Sequence, residues 1–245
     1  RPEFAGRRVT KVVDGARIEG WFTEDFTLAE LKTLRARERL PKLRPGSAEF
    51  DGRDPILTFE EVVALARAEG RSAGRTIGVY PEMKHPSYFA GLGQPFEARL
   101  AAELKRLDLD SPGAAVFVQC FEVQPLKTIR RLTHARLVQL VESRGGPADQ
   151  PGVTYRQMTD AAGLKAISAY ADGLGPEWIM VTPIVDGAPG PAGPLVQDAH
   201  AAGLAVHPWT VRAENYFLPE ALRRGPDPAA HGDVGAVYRA LFEAG

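Results

Sequence analysis

Ile77-Gly78-Val79-Tyr80-Pro81-Glu82-Met83-Lys84-His85-Pro86 begins as an apolar run and ends in charge. Thr76–Tyr80 has the length and character of a short buried strand. Glu82 and Lys84 stand two residues apart in extended chain, so both side chains point to one face. In parallel α/β folds the working groups gather at the C-terminal ends of the strands, where these two lie. A carboxylate there suits a hard divalent cation, and a lysine beside it suits a phosphate. The same pair also suits a plain solvated loop edge.

Outward from this stretch the chain alternates. Residues 93–107 have Leu100 and Leu104 at helical spacing, Ala114–Phe121 reads as a strand and Gln124–Leu132 as a helix. Arg136–Val141 is a strand, 145–152 a Gly/Pro-rich loop, Thr159–Ala169 a helix, and Gly173–Val181 holds a short strand. A Pro/Gly-rich loop at 183–193 leads to a helix over Pro194–Ala202 that Gly203 closes, a strand over Leu204–Val211 and a last helix over Val234–Phe242. Upstream, Thr58 and Glu61 have capping-box spacing for a helix that Gly70 ends, with Phe59, Val62, Val63, Leu65 and Ala66 as its apolar side. Thr27 and Glu30 repeat that spacing, with Leu28, Leu31 and Leu34 on one face. Residues 35–57 are a Pro- and Gly-broken loop, and the opening is polar loop or hairpin. Short apolar strands alternating with helices mean parallel βαβ units. About five strands make either an open doubly wound sheet or most of a barrel whose ends are absent, and periodicity leaves both open.

Composition narrows the function. The 245 residues carry 30 Lys and Arg against 31 Asp and Glu, a formal charge of -1. This argues against a protein held to nucleic acid by a bulk electrostatic field. No run approaches the roughly 20 apolar residues of a membrane span. One cysteine, Cys120, excludes an internal disulfide and a Cys-rich metal site. It reads as a small buried residue, because no motif supplies it with a base. The opening Arg1-Pro2-Glu3, without Met or an apolar leader, reads as the inside of a longer polypeptide.

The other strand ends offer further candidates. Gln119 suits a hydrogen bond to a substrate oxygen and Phe121 an apolar wall, although both also suit simple packing. Gly173-Leu174-Gly175-Pro176 resembles part of a phosphate loop but lacks the helix-opening context. Trp209, at the end of Val206-His207-Pro208-Trp209-Thr210, suits the wall of a polyol pocket. His207 reads as a satisfied structural residue, and His134, His200 and His231 have no metal-ligand spacing.

Taken in order, GWFTEDFTLAELKTLRARERLP (20–41), ILTFEEVVALA (56–66), IGVYPEMKHP (77–86), VFVQCFE (116–122), YADGLGP (170–176), VQDAHAAGL (196–204) and VHPWTVRAEN (206–215) resemble the glycerophosphodiester phosphodiesterase family, in its larger, periplasmic-type bacterial branch. The resemblance spans nearly the whole chain. It implies a TIM (β/α)8 barrel that hydrolyses glycerophosphodiesters, small-molecule substrates, to sn-glycerol 3-phosphate and an alcohol. It also implies a divalent cation, Ca2+ or Mg2+, held by three carboxylates, with two histidines as general acid and base. Glu82 matches the third metal carboxylate and Lys84 the active-site lysine. Gln119 and Phe121 match a pocket strand, and Trp209 the aromatic residue on the glycerol side. A periplasmic or secreted location is implied as well.

The family's opening His-Arg-Gly motif, its Glu-x-Asp pair with the second histidine, and its closing Phe-Thr-Asp-x-Pro segment have no counterpart here. The expectation is therefore one partial barrel domain over 1–245, lacking strands one, two and eight. In it, 1–55 is an insertion and loop region and 56–245 holds the βα units. Such a chain is expected to be inactive alone. A related barrel phospholipase and a non-catalytic binding module are the competing readings.

Overall fold

In the computed structural model, which describes residues 1–245, the chain divides into two units, Arg1–Leu65 and Ala66–Gly245. The first opens with an antiparallel hairpin, β1 (Val9–Val13) and β2 (Ala16–Gly20), with Val9 opposite Gly20 and Val13 opposite Ala16. Asp14 and Gly15 both take positive φ, 49° and 79°, as a two-residue hairpin turn requires. The Thr27–Glu30 capping box forms, but its helix α1 (Leu28–Leu31) is a single turn, and Leu34 lies beyond it. Glu30 also takes the Arg7 guanidinium at 2.5 Å, which with the Thr27 backbone N–H holds its carboxyl down at about 2. A one-turn α2 (Pro45–Ala48) interrupts the expected loop.

The helix expected from Thr58 is α3 (Phe59–Ser72). Glu61 N–H donates to Thr58 Oγ1 at 3.3 Å, and Glu61 accepts from Thr58 N–H at 2.7 Å. Two details of the expectation are corrected. Val63 and Gly70 are buried, whereas Val62 is 38% and Leu65 51% exposed. The inward stripe is Phe59, Val63, Ala66 and Gly70, the i, i+4, i+7, i+11 set of a helix, with Phe59 and Ala66 only half-buried. Nor does Gly70 end the helix; Gly74, at φ 63°, follows its last turn. Gly70 is small because the chain folds back on it: a Cβ there would lie 2.8 Å from the Arg75 carbonyl oxygen.

The second unit alternates as expected. After α4 (Pro86–Gly91) and α5 (Glu97–Arg106) come β3 (Phe117–Cys120), α6 (Val123–Arg130) and β4 (Arg136–Val141). The helix expected over Thr159–Ala169 is α8 (Ala161–Ser168), and a single turn that the pattern did not announce, α7 (Tyr155–Met158), precedes it. Each has its own cap: a capping box between Thr154 and Gln157, then Asp160 accepting from Gly163 N–H. Then follow β5 (Gly173–Pro176), α9 (Trp178–Val181) and a minimal hairpin, β6 (Ile184–Val185) with β7 (Ala188–Pro189), inside the expected loop. The unit closes with α10 (Leu195–Ala201), β8 (Ala205–Val206) and α11 (Val234–Glu243).

The sheet runs β3-β4-β5-β8, all parallel. Residues 79–83 form a further parallel strand beside β3. Val79 and Met83 donate to Ala115 and Gln119, while Phe117 and Gln119 donate back to Val79 and Pro81, at 2.9–3.2 Å. The five strands therefore neighbour one another in chain order. A doubly wound sheet reverses direction in its strand order, and this sheet does not. It is also rolled. Strands about 4.8 Å apart put the first and fifth of a flat sheet about 19 Å apart. Yet Tyr80 Oη, from the first, shares a 2.7 Å hydrogen bond with His207 Nδ1, from the fifth. Sequential parallel strands on a rolled sheet are the barrel arrangement. Its helix-facing core is built from residues such as Leu104, Val118, Leu126, Ile129, Leu137 and Leu164, all fully buried.

Candidate functional site at the strand ends

The concave face of the sheet is fixed by its contacts. Tyr80 and Phe117 stack at 5.6 Å, Phe117 meets His207 edge-on at 4.7 Å, and the Arg136 guanidinium sits 3.9 Å above the Phe117 ring. These side chains lie toward the N-terminal ends of the strands. Stepping two residues at a time along each strand keeps to the same face. That step reaches Glu82 and Lys84 from Tyr80, Gln119 and Phe121 from Phe117, and Trp209 from His207. The bridges agree, pairing Glu82 with Gln119 and Glu177 with Trp209. All five residues singled out in the sequence therefore share one face at the C-terminal ends of three strands.

Lys84 Nζ lies 3.7 Å from Glu82 Oε1. The Lys84 side chain is 66% exposed and that of Glu82 only 24%, so the ammonium is open to an anion while the carboxylate is mostly covered. Phe121 and Trp209 meet at right angles with centroids 5.6 Å apart, and Tyr155 approaches Phe121 at 6.3 Å. Trp209 is oriented by its indole N–H, which donates to the Gly175 carbonyl at 2.8 Å. The Trp209–Thr210 peptide is cis.

The remaining sequence candidates fall out of the site. Gly173 and Gly175 are buried strand residues, not a phosphate loop. A Cβ on Gly175 would sit 2.6 Å from Leu140 Cδ2, and one on Gly173 3.2 Å from the Ala205 carbonyl. Cys120 is fully buried, and burial pushes its thiol far up, so it offers no thiolate. His207 is tied to Tyr80; burial, then the Arg136 charge, lowers its pKa. Three groups escaped the sequence reading. Glu142 and Glu177 continue the same face beyond β4 and β5, and strand-end position alone would have found them. Desolvation and then the Glu177 charge raise the pKa of Glu142. Gln139 is the third, a fully buried amide on the opposite face that donates to the Phe121 carbonyl at 2.8 Å and accepts from Tyr170 Oη at 2.8 Å. It braces the strand end that carries Phe121, and a lone polar residue inside Leu137–Val141 was its signal.

No group of three or more His, Cys, Asp or Glu side chains converges where an ion could be held. A hard cation takes six or more oxygen ligands, so Glu82 on its own is not a cation site. No helix is long and apolar enough to cross a membrane.

Residues 5–229 match the model of the glycerophosphoryl diester phosphodiesterase family. The chain is 33% identical over 236 residues to glycerophosphodiester phosphodiesterase GDPD6 of Arabidopsis thaliana, covering 91% of this chain and 62% of that protein. It is 27% identical over 246 residues to a glycerophosphodiester phosphodiesterase of Haemophilus influenzae, covering 91% and 65%. A similar match, 29% over 242 residues, covers 84% of this chain and 65% of the Treponema pallidum glycerophosphodiester phosphodiesterase. The chain thus spans 62–65% of the length of these curated relatives. Among solved structures, a Silicibacter pomeroyi protein provisionally described as a glycerophosphoryl diester phosphodiesterase aligns with a TM-score of 0.56 at 20% identity. That alignment covers 97% of this chain and 75% of that one.

Proposed function

The chain belongs to the glycerophosphoryl diester phosphodiesterase family, and from that premise we propose that it carries the phosphate-facing and glycerol-facing side of a site that hydrolyses glycerophosphodiesters to sn-glycerol 3-phosphate and an alcohol. The α/β fold is of the TIM-barrel type, on which family, structural relative and strand order agree. The observation that carries the reading is the shared face of Glu82, Lys84, Gln119, Phe121 and Trp209 at the strand ends.

In this reading Lys84 meets the phosphate. Attack on a phosphodiester adds charge to its oxygens, and an open ammonium fixed in place stabilises that charge without reorganisation. Glu82, 3.7 Å away, holds the ammonium toward the concave face. The Phe121–Trp209 corner takes the carbon side of the glycerol, and the Gln119 amide hydrogen-bonds a glycerol oxygen. The residues present do not make a metal site, and no step is assigned to an ion. The Ca2+ or Mg2+ that the resemblance implies requires Glu82 to be joined by ligands beyond residues 1–245. The general acid and base are likewise not assigned to this chain: His207 is bound to Tyr80, and His134 lies exposed beside Asp110. The barrel is accordingly read as incomplete in residues 1–245, without strands one, two and eight, and the reaction as periplasmic or extracellular. A binding module without activity is the second reading, favoured by the lack of a convergent metal cluster.

The test is hydrolysis of glycerophosphocholine by the product of the complete reading frame, followed against Ca2+ and Mg2+ concentration. Glu82→Gln is expected to lower the rate, with part of it recovered at raised metal. Lys84→Met is expected to cost about 100- to 1,000-fold, unrecovered by metal. A wild-type rate and metal dependence in Glu82→Gln would remove Glu82 from the site. Absence of hydrolysis in the unsubstituted protein would favour the binding module.

A further inference from the structure

We infer that a cleft at the N-terminal foot of the first parallel strand is a binding site for a phosphate group, separate from the strand-end site and independent of the reaction proposed there. Arg67 and Arg71 follow one another at a four-residue step on α3, and Arg75 continues the step past its end. With Thr76 and the backbone at Gly70 and Gly74 they line a cleft of about 440 Å³ that has no Asp or Glu in its wall.

Like charges four residues apart on a helix repel, and none of the three guanidiniums is paired with a carboxylate. The dipole at the C-terminus of α3 accounts for a cation in its last turn, Arg71. It does not account for Arg67 a turn earlier or for Arg75 beyond the end. Arg67 is anchored, with Nη2 donating to the Leu107 carbonyl and its other N–H groups left free. Gly70 and Gly74 add no side chain to the lining, and its polar side chains are those of Arg67, Arg71, Arg75 and Thr76. A planar guanidinium fits two phosphate oxygens at once, and the volume is that of a small-ligand pocket. Thr76 precedes Glu82 by six residues, about 20 Å of extended chain. A phosphate bound here is not the one facing Lys84. The ligand class is a phosphate monoester, free or as the headgroup of an anionic lipid.

Titrating the full chain at constant ionic strength with sn-glycerol 3-phosphate and with inorganic phosphate tests this. Saturable binding that acetate does not reproduce is expected. It should weaken by about tenfold or more in Arg71→Gln/Arg75→Gln, as loss of charged hydrogen bonds implies, and stay unchanged in Arg156→Gln. Co-sedimentation with phosphatidic acid vesicles, set against phosphatidylcholine vesicles, separates the sources. Substitution-sensitive binding to the former alone assigns the phosphate to a lipid. Because the doubly substituted chain has to be folded for the comparison, Arg71→Lys/Arg75→Lys is run beside it. It keeps the charge without the fork and is expected to bind more weakly than the unsubstituted chain. No binding at millimolar phosphate, or equal loss in Arg156→Gln, overturns the inference.

Discussion

Glu82 and Lys84 were legible in the sequence because spacing by two on a strand end fixes a shared face without knowledge of neighbouring strands. Gln119, Phe121 and Trp209 needed more. Their common face follows from parallel register, which pairs Glu82 with Gln119 and Glu177 with Trp209 across residues far apart in the chain. His207 shows the limit at this scale. Its role depends on Tyr80, 127 positions away, and on Arg136, neither of which its local sequence announces. Its environment makes a prediction. Burial and Arg136 lower its pKa below the usual 6.5, so on acidification the unfolded chain takes up the proton first. The stability contributed by neutral His207 is full above that value and is lost as pH falls from 6.5 toward the folded pKa. His207→Gln, which keeps a hydrogen-bonding group but does not titrate, is expected to flatten the fall of melting temperature between pH 7.5 and 5.5. Melting curves of identical slope for the two proteins would contradict this.

At the scale of the element, apolar runs and caps placed the strands and most helices. Capping boxes at Thr27 and Thr58 formed as their spacing implied. The failures have one cause, which is that helix length and break points are set by packing. The clearest case is the single turn α7, which the apolar pattern did not announce and which breaks off just before α8. Asp160 restarts the helix, and Gly163 lies so close to the preceding turn that a Cβ would meet the Gln157 carbonyl oxygen at 2.2 Å and Met158 C at 2.5 Å. Backbone cannot yield there as a side-chain tip can. Gly163→Ala is therefore expected to destabilise the chain by about 1–3 kcal/mol or more, the range of overpacking. Gly113→Ala, with nothing within 4 Å of its Cβ, is expected to stay within about 0.5 kcal/mol of the unsubstituted chain. Urea denaturation of the two proteins decides it, and equal midpoints would mean that the α7–α8 junction relaxes freely.

At the scale of the whole molecule, strand order and roll could not be read from periodicity, since a doubly wound sheet and a barrel share the same local pattern. The order emerges only from long-range pairing. The outer edges of the 79–83 strand and of β8 have no strand beside them, and apolar side chains such as Tyr238 and Phe242 are exposed at 46% and 81%. Unpaired parallel edges and exposed apolar faces promote association. Residues 1–245 alone are accordingly expected to self-associate with rising concentration in sedimentation experiments, and a monomer at all concentrations would count against open edges. The proposed function gives these residues the substrate-facing side of a glycerophosphodiester site and assigns them none of its proton-transfer groups, each typically worth about 10²–10⁴ in rate. The most direct measurement is glycerol 3-phosphate release from glycerophosphocholine, with Ca2+ and with Mg2+, by residues 1–245 beside the product of the complete reading frame. The account predicts release by the complete product and none by residues 1–245 above a Glu82→Ala control; metal-dependent release by residues 1–245 above that control would contradict it.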